Sequence, residues 1–218
     1  MAFAHTLRYR IWVLALLALT SCVIEKSSGQ EPQLPGQAGN ITPAASPTRS
    51  PRGGPLFLIG DSILDGAQSH GELGLRLTED QWEPEVLAET GRSTRWAIDQ
   101  VRERESVPRY VVVVLGSNPG SSSEGFRDEV LTLRDALIAR GARRIVWIPP
   151  HASDSGRYAE KDRILQEVDE TDRRLAVPDW GAVLEQNPYY IGDDGLHLTD
   201  DGYRALALFI RDTLGLIG

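Results

Sequence analysis

From residue 55 onward, short apolar runs alternate with longer stretches in which apolar positions recur every three or four residues. The runs are Leu56-Phe57-Leu58-Ile59, Glu85-Val86-Leu87-Ala88, Tyr110 to Leu115, Arg144 to Ile148 and, more weakly, Leu175 to Trp180. They are short, β-branched or aromatic in the clearest cases, and bounded by Gly or Pro, so they predict strands. Runs that are apolar at successive positions suit parallel strands covered on both faces. The stretches between them predict helices over about 94–106, 124–140, 158–174 and 200–214, with 66–77 as helix or mixed loop. Trp96, Ile98 and Val101 would face inward from the first of these helices, and Gly141 would stop the second. Strand and helix in alternation predict an α/β domain: a single doubly wound, mainly parallel five-stranded sheet flanked by helices.

The first 54 residues follow neither pattern. Arg8 and Arg10 precede an apolar run from Ile11 to Leu19, and no acidic residue occurs before Glu25. A basic start followed by so short an apolar core predicts an export signal over residues 1–21, since spanning a bilayer takes roughly 20 apolar residues. Leu19-Thr20-Ser21-Cys22 resembles the bacterial lipobox, in which an aliphatic residue and two small residues precede a Cys. The resemblance implies cleavage before Cys22 and its lipidation, and so a membrane-anchored lipoprotein facing the periplasm or cell exterior of a bacterium. Cys22 is the only Cys in the chain, which leaves an exported protein no disulfide as its alternative use. Ordinary cleavage with a free thiol is the competing reading. Residues 22–54 are rich in Pro, Gly, Ser, Gln and Thr, and such a segment cannot bury enough surface to offset its ordering entropy. We expect a disordered tether there, with a reach on the order of 30 Å, ahead of one folded domain over residues 55–218.

Composition narrows the partners. The net charge is −8 and no cluster of Lys and Arg stands out, so nucleic acid is not an expected partner. No G-x-G-x-x-G follows the first strand and no G-x-x-x-x-G-K-[ST] occurs, which removes the main support for dinucleotide and P-loop readings. No His, Asp and Glu cluster has metal-ligand spacing, and we expect neither a metal nor a cofactor.

The first strand stops abruptly at Gly60-Asp61-Ser62. That turn puts the Ser62 hydroxyl at the carboxyl end of a parallel strand, the edge where open α/β sheets bind ligands. A nucleophilic Ser needs a base and an orienting carboxylate. Asp194 and His197 form an Asp-x-x-His pair on a Gly-rich loop before the last helix, close enough for the carboxylate to fix one imidazole nitrogen and leave the other as base. The bland alternative is a helix-capping loop, with Thr199 or Asp200 as cap and His197 solvated. Gly91 ends the second strand and Asn118 follows the third, both at the same edge, so their N–H groups, with that of Ser62, are candidate oxyanion donors. As isolated residues each would be an ordinary turn former.

These blocks resemble the SGNH, or GDSL, hydrolases. Gly60-Asp61-Ser62, Gly91, Gly116-Ser117-Asn118 and Asp194-Gly195-Leu196-His197 occur in the family's order and span nearly the whole domain. The resemblance implies a flavodoxin-like fold, Ser62 as nucleophile, His197 as base, Asp194 as its orienter, an oxyanion hole from Ser62, Gly91 and Asn118, and no metal. Pro119 departs from the pattern, because an Asp commonly follows that Asn. Together with Asp179-Trp180, the blocks look closest to the extracytoplasmic SGNH domains of cell-wall glycan O-acetyltransferases, although this chain has no multi-helix membrane half.

What the resemblance implies is a serine esterase acting through an acyl-enzyme on small acyl, above all acetyl, esters, with an O-acetylated envelope glycan as the natural substrate class. An O-acyltransferase of the same mechanism and a catalytically silent glycan-binding module are the alternatives. Asp193 is one residue too far from His197 for the orienting role. Asp61 reads as a hydrogen-bonding loop residue, His70 and His151 as structural or solvated. Trp82, Trp96, Trp147 and Trp180 read as core, and Ser121 to Ser123 as a surface loop bordering the pocket.

Overall fold

The computed structural model describes residues 53–118, 120, 122–153, 156 and 158–217. The export signal, Cys22 and nearly all of the expected tether lie outside the described residues. Five strands form one sheet in the order β2-β1-β3-β4-β5, every neighbouring pair parallel. They are β1 (Gly54–Gly60), β2 (Trp82–Ala88), β3 (Tyr110–Val114), β4 (Arg144–Ile148) and β5 (Leu175–Ala176). The doubly wound α/β sheet that the alternating pattern predicts is the one observed.

The reason the runs are continuously apolar is visible in the core. Successive strand residues point to opposite faces, and both faces are covered. Phe57, Ile59, Val111, Val113, Ile145 and Trp147 pack with one helical layer, built from α3 (Thr94–Glu103), α4 (Ser123–Ala139) and α5 (Ala159–Thr171). Leu56, Leu58, Val112, Val114, Val146 and Ile148 pack with the other. That layer consists of α1 (Ser62–Ser69), α2 (Leu73–Glu79), α6 (Trp180–Gln186) and α7 (Asp200–Ile217). Trp82, Trp147 and Trp180 are buried, as a core role requires, and Trp96 is partly buried against the first layer.

Several boundaries differ from the pattern-based ones, each for a local reason. The strand β1 begins at Gly54, inside the span assigned to the tether, because Gly54 pairs with Trp82 and its N–H reaches Gln81 O at 2.8 Å. The strand β2 is longer than expected and contains Pro84, tolerated because β2 is an edge strand and needs ladder bonds on one side only. The stretch 66–77 is two helices. The first opens at Ser62, and the break between them passes through Gly71 and the left-handed Glu72, φ 56°. The last strand stops at Ala176, well short of Trp180. Pro178 has no N–H for a ladder, and the Asp179 carboxylate instead accepts from Ala182 N at 2.9 Å, capping α6, a helix the pattern did not show.

Strand order places the site. From β1 the chain runs outward to β2 on one side, then returns to β3 on the other side of β1. Such a reversal opens a crevice at the carboxyl ends of the two central strands. Gly60 is in register with both Ala88 and Val114, and Val114 with Ile148, so the segments leaving β1, β2, β3 and β4 start level with one another.

Candidate active site

Ser62 is the first residue of α1. Asp61 is the N-cap, its Oδ1 accepting from Ile63 N at 3.0 Å, and its own N–H donates to Val114 O at 3.1 Å. The strand-to-helix turn is therefore pinned to β3 on one side and to the helix start on the other. The Ser62 hydroxyl emerges at a helix N-terminus, where the peptide dipoles favour developing negative charge.

The loop before α7 folds back on itself. Ile191 and Leu198 form an antiparallel bridge, Gly192 N donates to His197 O at 2.7 Å, and Gly195 N donates to Gly192 O at 2.9 Å. Gly195 has φ +74°, a left-handed conformation that suits a residue without Cβ. Asp194 Oδ1 accepts from the N–H groups of Leu196 and His197, both at 2.9 Å. Its Oδ2 lies 2.5 Å from His197 Nδ1, and His197 Nε2 lies 3.0 Å from Ser62 Oγ. Hydrogen bonding from the imidazole, then from the two backbone N–H groups, lowers the Asp194 carboxyl to about 2. The ring is thus set with Nδ1–H toward the carboxylate and Nε2 free to accept the serine proton. Thr199 caps the following helix, Gly202 N donating to its Oγ1 at 3.2 Å. The cap at Thr199 and the hydrogen-bonded pair Asp194–His197 thus coexist in this loop, in different residues. Asp194, not Asp193, reaches the ring.

The three loops expected to supply oxyanion donors are laced together through Asp61 and Asn118. Asp61 is fully buried, and its Oδ2 accepts from Ser117 Oγ and, at 3.0 Å, from Asn118 Nδ2. The same Asn118 amide also donates to Arg92 O at 3.1 Å, the residue after Gly91. Gly91 sits at φ +80° with nothing within 4 Å of where a Cβ would project, so its backbone borders open space. Both hydrogens of the Asn118 amide are engaged in protein contacts here, which the sequence did not foretell. Burial pushes the Asp61 carboxyl up, while its bonds from Ser117, Ile63 and Asn118 oppose that rise.

Asp61, Ser117 and His151 share a largely apolar pocket with Ile63, Trp180 and Leu196, with space of about 20 Å³, enough for a group the size of a water or methyl. His70 pairs with Asp200 at 3.1 Å and stacks on Tyr203, and His151 lines both this pocket and an adjoining polar cleft that holds Asp162 and Asp179. Among the described residues no His, Cys, Asp and Glu group is placed to hold a metal ion. Two residues with no sequence signal also converge on the site. Tyr158 Oη donates to Ser117 O and Lys161 Nζ to Gly116 O, each at 2.7 Å.

No family model and no curated protein matches the chain. Solved structures do match. The C-terminal catalytic domain of Streptococcus pneumoniae peptidoglycan O-acetyltransferase A, solved with a methylsulfonyl adduct, is 21% identical, with a TM-score of 0.62 over 75% of this chain and 94% of that one. A protein from Slackia heliotrinireducens described as an SGNH hydrolase is 18% identical, with a TM-score of 0.60 over 74% of this chain and 99% of that one. An acetylxylan esterase from Geobacillus stearothermophilus is 18% identical, with a TM-score of 0.55 over 76% and 96%. The sheet order, the helical layers and these likenesses agree: the chain has the SGNH-hydrolase fold.

Proposed function

We propose that the protein is a serine esterase that cleaves small acyl esters, chiefly acetyl esters on envelope glycans, through a covalent acyl-enzyme. The observation that carries this reading is the continuous Ser62–His197–Asp194 chain at the carboxyl edge of the sheet. His197 Nε2 takes the Ser62 proton as Oγ forms a bond to the ester carbonyl carbon. The oxyanion so formed meets the N–H groups of Ser62 and Gly91 and one hydrogen of the Asn118 amide, given up by Arg92 O. Collapse breaks the carbon–alkoxide bond, and the proton on Nε2 passes to the departing alkoxide. Water then attacks the acyl carbonyl, His197 takes its proton, and returning that proton to Ser62 Oγ releases the carboxylic acid. Asp194 orients the ring and offsets the imidazolium charge throughout. The small apolar pocket beside the nucleophile turn favours a short acyl group.

A second reading shares the first half of this cycle. If a sugar hydroxyl replaces water as acceptor, the protein is an O-acetyltransferase, and the likeness to the peptidoglycan O-acetyltransferase domain favours it. Export and lipid anchoring at Cys22 belong to the same proposal, since they would put the site beside envelope glycans.

Hydrolysis of an aryl acetate, lost in a folded Ser62→Ala variant, tests the esterase reading. Unchanged turnover in that variant would sink it. Absence of Ser62 labelling by a fluorophosphonate would favour a silent glycan-binding module. Mass spectrometry of a reaction containing an acyl donor and an oligosaccharide separates the two enzymatic readings: acylated sugar marks a transferase, free acetate alone an esterase.

A further inference from the structure

The segment Gly116-Ser117-Asn118 leaves β3 as irregular backbone, and the ladder that fixes β3 ends at Val114. Gly116 turns at φ +123°, where an added Cβ would lie 3.1 Å from Pro150 and 3.3 Å from Phe126. On its inner side the segment is held through side chains, by the bonds from Ser117 and Asn118 to Asp61. Its backbone carbonyls are held from elsewhere, by two residues three apart at the start of α5. Lys161 Nζ donates to Gly116 O and Tyr158 Oη to Ser117 O, each at 2.7 Å. Tyr158 is buried, and the Lys161 ammonium lies over the Phe126 ring at 5.0 Å and the Tyr158 ring at 5.7 Å.

We infer that Tyr158 and Lys161 are positioning residues: they clamp the peptide units of Gly116 and Ser117 and so set where the Asn118 amide points. The catalytic consequence rests on the reading of Asn118 as an oxyanion donor. A carbonyl that accepts from an ammonium is held more firmly than one that accepts from a neutral donor. The two adjacent carbonyls are gripped by different donors, so the peptide plane between them loses its freedom to rotate. A small tilt there would swing the Asn118 side chain, and displacements of about 1 Å near reacting groups can cost about a hundredfold in rate. Burial lowers the Lys161 ammonium, while Glu129 and then Asp61 oppose that fall.

The test compares Tyr158→Phe, Lys161→Met and Lys161→Arg with the parent protein by backbone hydrogen exchange, thermal unfolding and aryl acetate kinetics. Tyr158→Phe and Lys161→Met should speed exchange in the 116–118 segment selectively, by about tenfold. They should also lower kcat by about tenfold to a hundredfold while KM stays within about twofold. Lys161→Arg keeps a charged donor and should recover most of both losses. Unchanged local exchange in the two disruptive variants, or acceleration spread evenly over the whole domain, would overturn the clamp. A rise in KM at constant kcat would overturn its link to the oxyanion donor. A parent protein that neither hydrolyses the ester nor labels at Ser62 would count against the esterase reading alone, because the exchange measurement still decides whether these two residues hold the segment.

Discussion

The Asp61 carboxylate and the Asn118 side-chain amide, 57 residues apart in the chain, meet at 3.0 Å at the carboxyl edge of the sheet. This bond joins the turn that carries Ser62 to the loop offered as an oxyanion donor, and it is made by a fully buried carboxylate. The residue before Ser62 thus ties together the two segments proposed to flank a reacting carbonyl.

Replacing Asp61 by Asn removes one acceptor oxygen from a group that serves Ile63 N, Ser117 Oγ and Asn118 Nδ2. The new amide would face the Asn118 amide, donor against donor, so Asp61→Asn should lower kcat by about tenfold to a hundredfold. A kcat within about twofold of the parent would show that the bond does not position Asn118.

Stability should respond to the same substitution in a pH-dependent way. Burial raises the folded-state value of Asp61 above that of the unfolded chain, so within that window the native state holds more protons. Stability contributed by this site therefore falls as pH rises from the ordinary carboxylate range through the raised value. Denaturant unfolding of the parent and Asp61→Asn across this range should give a stability difference that shifts in favour of the variant as pH rises. A difference that stays flat would mean that Asp61 is not desolvated.

Asp194 should behave in the opposite sense. Its folded value is lowered to about 2, so its stabilising contribution is fully present above the ordinary carboxylate value and is lost as pH falls toward 2. With its folded value below the ordinary carboxylate range, protonation of Asp194 should not set the acid limb of the activity profile. Asp194→Asn keeps an oxygen for Leu196 N and His197 N but can no longer accept from Nδ1–H. It should cost about 10³–10⁴ in kcat with the fold intact. A loss of less than about tenfold would remove Asp194 from the orienting role.

Truncating the proposed oxyanion donor gives a separate reading. Asn118→Ala should lower kcat by about 10²–10³ with KM little changed, as expected for a donor that acts in the transition state. An equal change in KM with constant kcat would assign Asn118 to ground-state binding instead.

Packing behind the site should also be measurable. A Cβ on Gly66 would fall 2.2 Å from the Tyr203 ring, the residue through which α7 lies against α1. Gly66→Ala should destabilise the domain by about 1–3 kcal/mol, visible as a drop of several degrees in thermal unfolding. It should also lower kcat, since the loop carrying His197 runs directly into α7. An unchanged melting temperature would show that the two helices separate at little cost.

Much of this was legible along the chain because the signals are local or periodic. Both faces of the central strands are covered, so Leu56 to Ile59 and Tyr110 to Leu115 read as unbroken apolar runs, and their alternation with helices prescribes a parallel α/β sheet. Ser62 after a strand and the three-residue spacing of Asp194 and His197 are likewise local, and the blocks around them carried the family resemblance. What only the tertiary structure decided depends on contacts between distant segments. Strand order put the β1 and β3 turns side by side. Burial made Asp61 an acceptor for Ser117 and Asn118, which a hydrogen-bonding loop residue did not by itself imply. Tyr158 and Lys161 reach the Asn118 loop only because α5 belongs to the helical layer covering this face of the sheet, and nothing in their own neighbourhood marks them. Apolar pattern and motif spacing are written into consecutive residues, whereas hydrogen-bond partners across the sheet edge exist only once burial and strand order have brought their side chains together.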